Sequence, residues 1–363
     1  MDYDAVIFGA GLAGSAAGTL LSRKGWKVLI LDKASAPKPK VCGEFLSPAV
    51  WPFFEELEIT KEIESLGGKK IETVSLFNSS HRIQRKLPAY GCSLSRKTLD
   101  PFLIRVAEKS GCHFGQVTEN QSGSPIVIQA SGKMHRCHPD DAANDKIGFK
   151  AHFDGPSIGN ELQLFFFQGA YFGIVEVEDG IVNLCGIVEK KTFHNAAMNF
   201  DRLLEKFSGQ NRNFRDWLRN AERKTEWLSC APLVHGKQCS SENGIFHVGD
   251  AAYFIEPFMG QGMTMAFASA SLLASLLGDG VPDQAQRRDI AEKYQTQLSA
   301  LYKNRLRFGS ALNRFAFQNW SSSLLIQLFA WMPHLWDYAV RQTMDFHIHR
   351  KPVATLTCHS RML

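Results

Sequence analysis

The order of apolar and polar positions divides the chain into elements. Ala5 to Phe8 is a short continuous apolar run, the mark of a strand buried on both faces. Leu12 to Lys24 follows as a helix, with Ala13, Gly14, Ala16, Ala17 and Gly18 on its early turns. Gly25 ends it, and Trp26 to Asp32 reads as a second strand. Together these form a βαβ unit of about 30 residues. Further on, Phe149 to Phe153 and Leu162 to Phe167 read as strands, and Gly169 to Leu184 as a hairpin turning at Glu178-Asp179-Gly180. Residues 243–250 predict a short strand opening on an acidic turn, and a long helix runs from Met263 through Leu273. From about residue 285 the pattern is helical. Ile290 to Phe308 carries many charges, and Leu312 to Met332 carries Phe, Trp and Leu at mixed spacing.

Two glycine-bearing segments punctuate this pattern. In the first, Gly9 permits a tight turn, Gly11 lets the backbone approach a pyrophosphate, and Gly14 lets helix and strand pack closely. The N–H groups that open the helix, around Leu12 and Ala13, offer a positive dipole end to phosphates. Asp32, followed by Lys33, ends the second strand and can accept hydrogen bonds from an adenosine ribose. An acid at this position suits FAD or NAD better than NADP. The second segment runs from Gly249-Asp250 through Pro257 to Gly260, Gly262 and Met263. An Asp at a strand end can bind a ribityl hydroxyl, and glycines at a helix start let the backbone approach a flat ring. The dipole of that helix would stabilise negative charge on a reduced flavin.

Composition narrows the class without changing it. The 363 residues are 44% hydrophobic and carry a net charge of +5, with no Lys/Arg run dense enough for a nucleic-acid arm. The eight cysteines include no CxxC pair, so a zinc or dithiol site is not indicated. Reduced thiols in a cytoplasmic protein are the expectation. The richest apolar stretch, Leu324 to Met332, is too short to span a membrane. No histidine cluster has metal-ligand spacing.

Beyond the two glycine segments, two others carry a family likeness: Lys40-Val41-Cys42-Gly43-Glu44, a K-x-C-G pattern, and Leu94-Ser95-Arg96-Lys97-Thr98-Leu99-Asp100, an S-R-x-x-L-D helix start. With them, the chain resembles the FAD-dependent monooxygenase superfamily with a glutathione-reductase-type FAD domain, and within it the geranylgeranyl-reductase-like branch. The resemblance covers most of residues 1 to about 305. It implies an α/β fold: a Rossmann-type FAD-binding domain interleaved with an antiparallel-sheet substrate domain, plus C-terminal helices. The expected division is 1–75, 90–148 and 240–285 for FAD, 76–89 and 149–239 for the substrate sheet, and 286–363 for the helices. It also implies that Cys42 and Gly43 run along the flavin, that Arg96 approaches it, and that the 169–184 hairpin helps to roof the substrate cavity. The family's central A-D-G motif is Ala130-Ser131-Gly132 here, with Ser131 where Asp is expected, and the stretch between Gly115 and Ile126 is short for the family's hairpin.

The cofactor expected is FAD, with NAD(P)H a candidate external reductant. Cys42 is the candidate catalytic residue; the alternative is a small buried packing residue. Lys40 and Glu44 flank it and read as solvated charges more readily than as functional groups. Arg96 reads either as a flavin contact or as a surface ion pair. His152 reads as a cavity wall or structural residue rather than a base. Leu162 to Phe167 reads as a core strand, or else as the lining of a pocket for an apolar or aromatic substrate.

A monooxygenase acting through a flavin hydroperoxide on an aromatic or lipophilic small molecule leads the readings. An ene-reductase acting on isoprenoid or lipid double bonds is the first alternative, favoured by K-x-C-G, although that branch's Y-x-W-x-F-P segment is missing. No W-x-W-x-I-P string supports a halogenase. A non-enzymatic flavin-binding protein is kept open by Ser131. The partner expected is thus an apolar or aromatic small molecule, with no nucleic acid and no membrane span. The C-terminal helices either cover the pocket or make peripheral contact with a membrane.

Overall fold

A computed structural model describes residues 3–33, 37–117, 126–132, 145–242 and 244–344. The fold opens with β1 (Ala5–Phe8), α1 (Leu12–Arg23), β2 (Val28–Asp32), β3 (Phe45–Leu46), α2 (Trp51–Glu56) and α3 (Thr60–Ser65). It continues with β4 (Lys69–Phe77), β5 (Arg82–Ser93), α4 (Arg96–Lys109), β6 (His113–Gln116), β7 (Ile126–Gln129), β8 (Lys146–Asp154), β9 (Glu161–Phe167), β10 (Ala170–Glu176) and β11 (Ile181–Glu189). After these come α5 (Lys190–His194), α6 (Phe200–Ser208), α7 (Arg212–Leu218), β12 (Glu222–Arg223), β13 (Leu228–Cys230), β14 (Gly236–Lys237), β15 (Ile245–His247) and β16 (Tyr253–Phe254). Four helices follow: α8 (Gly262–Leu277), α9 (Gln284–Ala316), α10 (Asn319–Trp331) and α11 (Pro333–Met344).

The first sheet is parallel, in the order β15-β7-β1-β2-β6. Its centre is buried because the strands are apolar on both faces: Ala5, Ile7, Val28 and Ile30 are all fully buried. Helix α1 packs against α8 and α4, and small residues permit the close approach. A Cβ added at Gly18 would come within 2.7 Å of the Ile30 side chain. Helix α8 is buried from Met263 through Ala274, as expected of a helix apolar all round.

The second sheet has nine strands, in the order β12-β8-β11-β10-β9-β4-β5-β3, with β13 also on β8. All its pairings are antiparallel except β4 with β9. Alternation divides its residues between two faces. Phe149, Phe153, Phe165, Phe167, Phe172 and Leu184 point to one face and pack on Phe207, Phe214 and Trp217 of α6 and α7. Phe166, Tyr171, Val175 and Ile187 point to the other face, where they meet Phe45 and residues of α10 and α11. Leu162 to Phe167 is therefore a core strand on both faces: Phe165 and Phe167 pack toward α6 and α7, and Phe166 packs into the cluster on the other face.

The α/β architecture expected from the sequence is present, and the structure adds detail. The expected boundaries at 75/76, 89/90 and 148/149 fall inside β4, β5 and β8, and the second sheet takes all three strands whole. The region expected to be helical from about residue 285 is so through Met344, in three helices, with α9 ending at Ala316 and α10 starting at Asn319. Among the described cysteines, Cys42, Cys92, Cys112, Cys185 and Cys230 are free, but Cys239 is disulfide-bonded, against the expectation of uniformly reduced thiols. Cys137 and Cys358 lie outside the described residues, as do 118–125 of the short stretch and 345–363 of the expected helical region.

Candidate flavin site

The N-terminal glycine turn is shaped by exclusion. Gly9 has φ +112°, and a Cβ there would lie 2.5 Å from the Ala130 carbonyl oxygen. A Cβ at Gly14 would lie 1.9 Å from the Gly9 oxygen. The Ala10 N–H donates to Asp32 Oδ2 at 2.8 Å, so the acid at the end of β2 also holds the turn. Helix α1 starts at Leu12 with no side-chain cap, which leaves the N–H groups of its first turn open to a ligand. Leu12 and Ala13 are themselves buried, and Lys33 is exposed beyond Asp32.

Tertiary folding brings the second glycine segment to the same place. A Cβ at Gly249 (φ +59°) would lie 3.0 Å from the Ala13 Cβ, and the Gly249 N–H donates to Ser269 Oγ at 2.8 Å. Gly260 is left-handed, which only glycine adopts at little cost, and a Cβ there would meet the Phe45 ring at 3.1 Å. Helix α8 then begins at Gly262, again with no side-chain cap. Gly11, Asp32, Lys40, Cys42, Asp250, Gly260 and Gly262 are half-buried and Gly43 is exposed, whereas Met263 is already buried. Pro257 is exposed on the connecting loop. The result is an accessible trough between two bare helix starts. A Cβ at Gly43 or Gly262 would meet nothing within 4 Å.

The segment from Lys40 to Ser47 runs the length of this trough. Lys40 Nζ stands 3.3 Å from where a Gly11 Cβ would be and pairs with Asp100 Oδ2 at 2.8 Å. At the other end, Ser47 Oγ donates to Gln261 Oε1 at 3.1 Å. Gln261 Nε2 is buried without a partner, an unmet donor beside the start of α8. These features fit FAD: uncapped helix N–H groups for its phosphates, and a bare glycine turn with a spare donor for a flat ring bearing carbonyls.

Between those ends lies a buried polar cluster. Arg96, the first residue of α4, pairs with Asp100 through Nε at 2.6 Å and also sits against Cys42. It is a buried ion pair, not a surface one. Burial works against the Arg96 charge, but Asp100 and Cys42 more than offset this and raise its pKa. For Asp100, burial would raise the pKa, yet Arg96 and Lys40 hold it below the usual carboxylate range.

Glu44, expected as a solvated charge, is fully buried at φ +56°. Its carboxylate accepts from the Arg96 N–H at 2.8 Å, from Lys150 Nζ, and pairs with His152 Nε2 at 2.7 Å. Burial pushes its pKa up, but His152 and Lys150 together carry it below normal. Asn183 Nδ2 donates to the Cys42 carbonyl at 3.1 Å.

Sequence reasoning missed Asp100, Lys150 and Asn183. A signal was present for Lys150, since in Phe149-Lys150-Ala151-His152-Phe153 the two polar residues share the face opposite the apolar ones. In the register, His152 faces Asn183 and Lys150 faces Cys185, which puts all four on that face. His152 is held by its contact with the Glu44 carboxylate, as a structural residue rather than a bare wall. Ser131 is exposed just past β7, while its neighbour Ala130 abuts the Gly9 turn. Among the described residues no group of His, Cys, Asp and Glu is arranged to hold a metal, and no helix is long and apolar enough to cross a membrane.

A family model described as the FAD binding domain matches residues 2–125. The protein is 24% identical to menaquinone reductase of Mycobacterium tuberculosis, over 82% of its own length and 80% of that relative's. It is 21% identical to squalene monooxygenase of Rattus norvegicus, over 78% of its own length and 56% of that relative's. Among solved structures it superposes on the flavin-dependent brominase Bmp2 with a TM-score of 0.78 at 18% identity, covering 95% and 94% of the two proteins. It superposes on PqsL of Pseudomonas aeruginosa with a TM-score of 0.73 at 14% identity, covering 90% and 100%. The chain thus carries an FAD binding domain over its N-terminal third and shares its fold with flavin-dependent monooxygenases and halogenases.

Proposed function

We propose that the protein is an FAD-dependent monooxygenase that inserts oxygen into an aromatic or lipophilic small molecule. The observation that carries this reading is the apolar wall beside the Gly260 turn. Phe258, two residues before Gly260, lies 5.4 Å from the ring of Phe166 and 5.4 Å from that of Tyr171, and Val175, Ile187 and Leu233 extend the same surface. Such a wall favours an apolar body and excludes water from the reacting face. The name of the rat relative, a squalene monooxygenase, agrees with a lipophilic substrate.

In this reading, Gly9, Gly11, Gly14 and the N–H groups of Leu12 and Ala13 hold the pyrophosphate, and Asp32 holds the adenosine ribose. Asp250 holds the ribityl group, and Gly260, Gly262 and Met263 back the ring. Lys33 and Pro257 stand at the margins of the site. Arg96 acts by holding Cys42 beside the ring rather than by touching substrate. The first sheet carries the cofactor, the second roofs the substrate, and the C-terminal helices close the side. When bound and reduced, FAD supplies the activation of dioxygen; the protein positions the reactants and keeps the pocket dry. NAD(P)H is the proposed electron source.

One specific observation favours a second reading. The Lys40-Val41-Cys42-Gly43 segment and the menaquinone reductase relative suit direct reduction of an alkene. The two separate on oxygen. The protein is reduced anaerobically with candidate substrates present, then given isotopically labelled dioxygen. The monooxygenase reading expects no product until oxygen is admitted and one labelled atom in each product. Saturated product formed before oxygen enters would replace it with the reductase.

A further inference from the structure

We infer that Glu44 is the positioning residue of the flavin site: its buried carboxylate sets where Cys42 and Gly43 stand against the cofactor. The inference rests on the FAD site but not on the oxygen-transfer reading. The ends of the Lys40–Ser47 segment are held by other groups, Lys40 by Asp100 and Ser47 by Gln261 and Thr264. Between them, Asn183 Nδ2 holds the Cys42 carbonyl and Arg96 sits against the Cys42 thiol, but Gly43 is exposed and touches nothing where a side chain would be.

What pins Gly43 is the next residue. Glu44 turns inward through a left-handed backbone conformation that residues bearing a Cβ rarely adopt. There its carboxylate gathers the Arg96 N–H from the start of α4 and the side chains of Lys150 and His152 from β8. Its own N–H lies 3.4 Å from Cys42 Sγ, and its carbonyl accepts from Leu94 N–H at 3.1 Å.

One side chain thus joins three elements: the segment along the trough, the helix carrying Arg96, and the sheet above the substrate space. A buried carboxylate with these donors has one low-energy position, and the strained backbone transmits it directly to Gly43. His152, at 16% side-chain exposure, is the part of the cluster nearest to solvent. Through it the trough is tied to the roof.

The test uses the full-length protein reconstituted with FAD, without substrate. FAD affinity, the position of the visible flavin band and the flavin reduction potential are compared for wild type, Glu44→Gln and His152→Gln. Asp283→Ala, which removes a helix cap remote in sequence from the cluster, serves as a stability control. Glu44→Gln is expected to weaken FAD binding at least tenfold and to shift the band, and His152→Gln to shift it the same way by less. Asp283→Ala is expected to lower the melting temperature with the band and potential unchanged. If Glu44→Gln does not fold, the shift in His152→Gln alone supports the assignment. Unchanged band, potential and affinity in His152→Gln and in any folded Glu44→Gln would overturn it. So would changes that merely track lost stability as they do in Asp283→Ala. Because no substrate or oxygen enters these measurements, failure of the monooxygenase reading leaves the result interpretable.

Discussion

A single methyl group decides the cofactor turn. At Gly14 it would enter space already held by the Gly9 carbonyl, so Gly14→Ala forces helix α1 away from β1. The expected outcome is FAD binding weakened at least tenfold in a fluorescence titration, with destabilisation of about 1–3 kcal/mol as for other overpacked sites. Gly43→Ala, where a Cβ meets nothing, should leave folding stability unchanged and act only on FAD affinity. Titration adds a second expectation at this scale. Glu44 and Asp100 have pKa values lowered in the folded protein by their basic neighbours. Their stabilising contribution is therefore complete above the unfolded carboxylate range of about 4 and is lost as pH falls through the lower folded values. Denaturant midpoints measured from pH 6 downward should drop below about pH 4, and less steeply in Asp100→Asn.

Elements differ in how openly the sequence announces them. Helix α9 begins with a capping box: Asp283 accepts from Gln286 N–H, and Gln286 reaches back to the Asp283 N–H, both at 2.8 Å. Asp283→Ala should cost about 1 kcal/mol by urea denaturation. In the second sheet, Phe172 is fully buried against Phe214 at 4.5 Å between ring centres, so Phe172→Ala should cost about 3–5 kcal/mol. Strands β1, β10 and β11 and helices α1 and α8 were legible because their apolar spacing is set locally. Strands β4 and β5 were not, because alternation such as that of Arg82 to Leu87 acquires meaning only when a partner face is known. The polar pair on β8 was visible as a pattern, but nothing local says that Lys150 and His152 face a buried acid rather than water.

For the molecule as a whole, FAD should act as a stabilising ligand. The proposed site lies where two segments distant in sequence converge, so only the folded protein would offer it complete. Added at a hundredfold over its dissociation constant, it should stabilise by about 2.7 kcal/mol, seen as a higher melting temperature that rises with FAD concentration. A melting temperature indifferent to FAD would contradict the site. The sequence by itself determined the cofactor class, because a glycine turn between a strand and a helix, with an acid ending the next strand, is a local arrangement whose spacing is written in consecutive residues. It also pointed to a second glycine segment, which folding brings beside the first. Only the tertiary structure decided that Glu44 is buried and joined to Lys150 and His152, that Arg96 is held by Asp100 against Cys42, and that Phe165 and Phe166 pack on opposite faces of the second sheet. The physical reason is one of separation in sequence. Turn geometry and helix dipoles come from neighbouring residues, but desolvation and charge pairing depend on which distant strand folds over them.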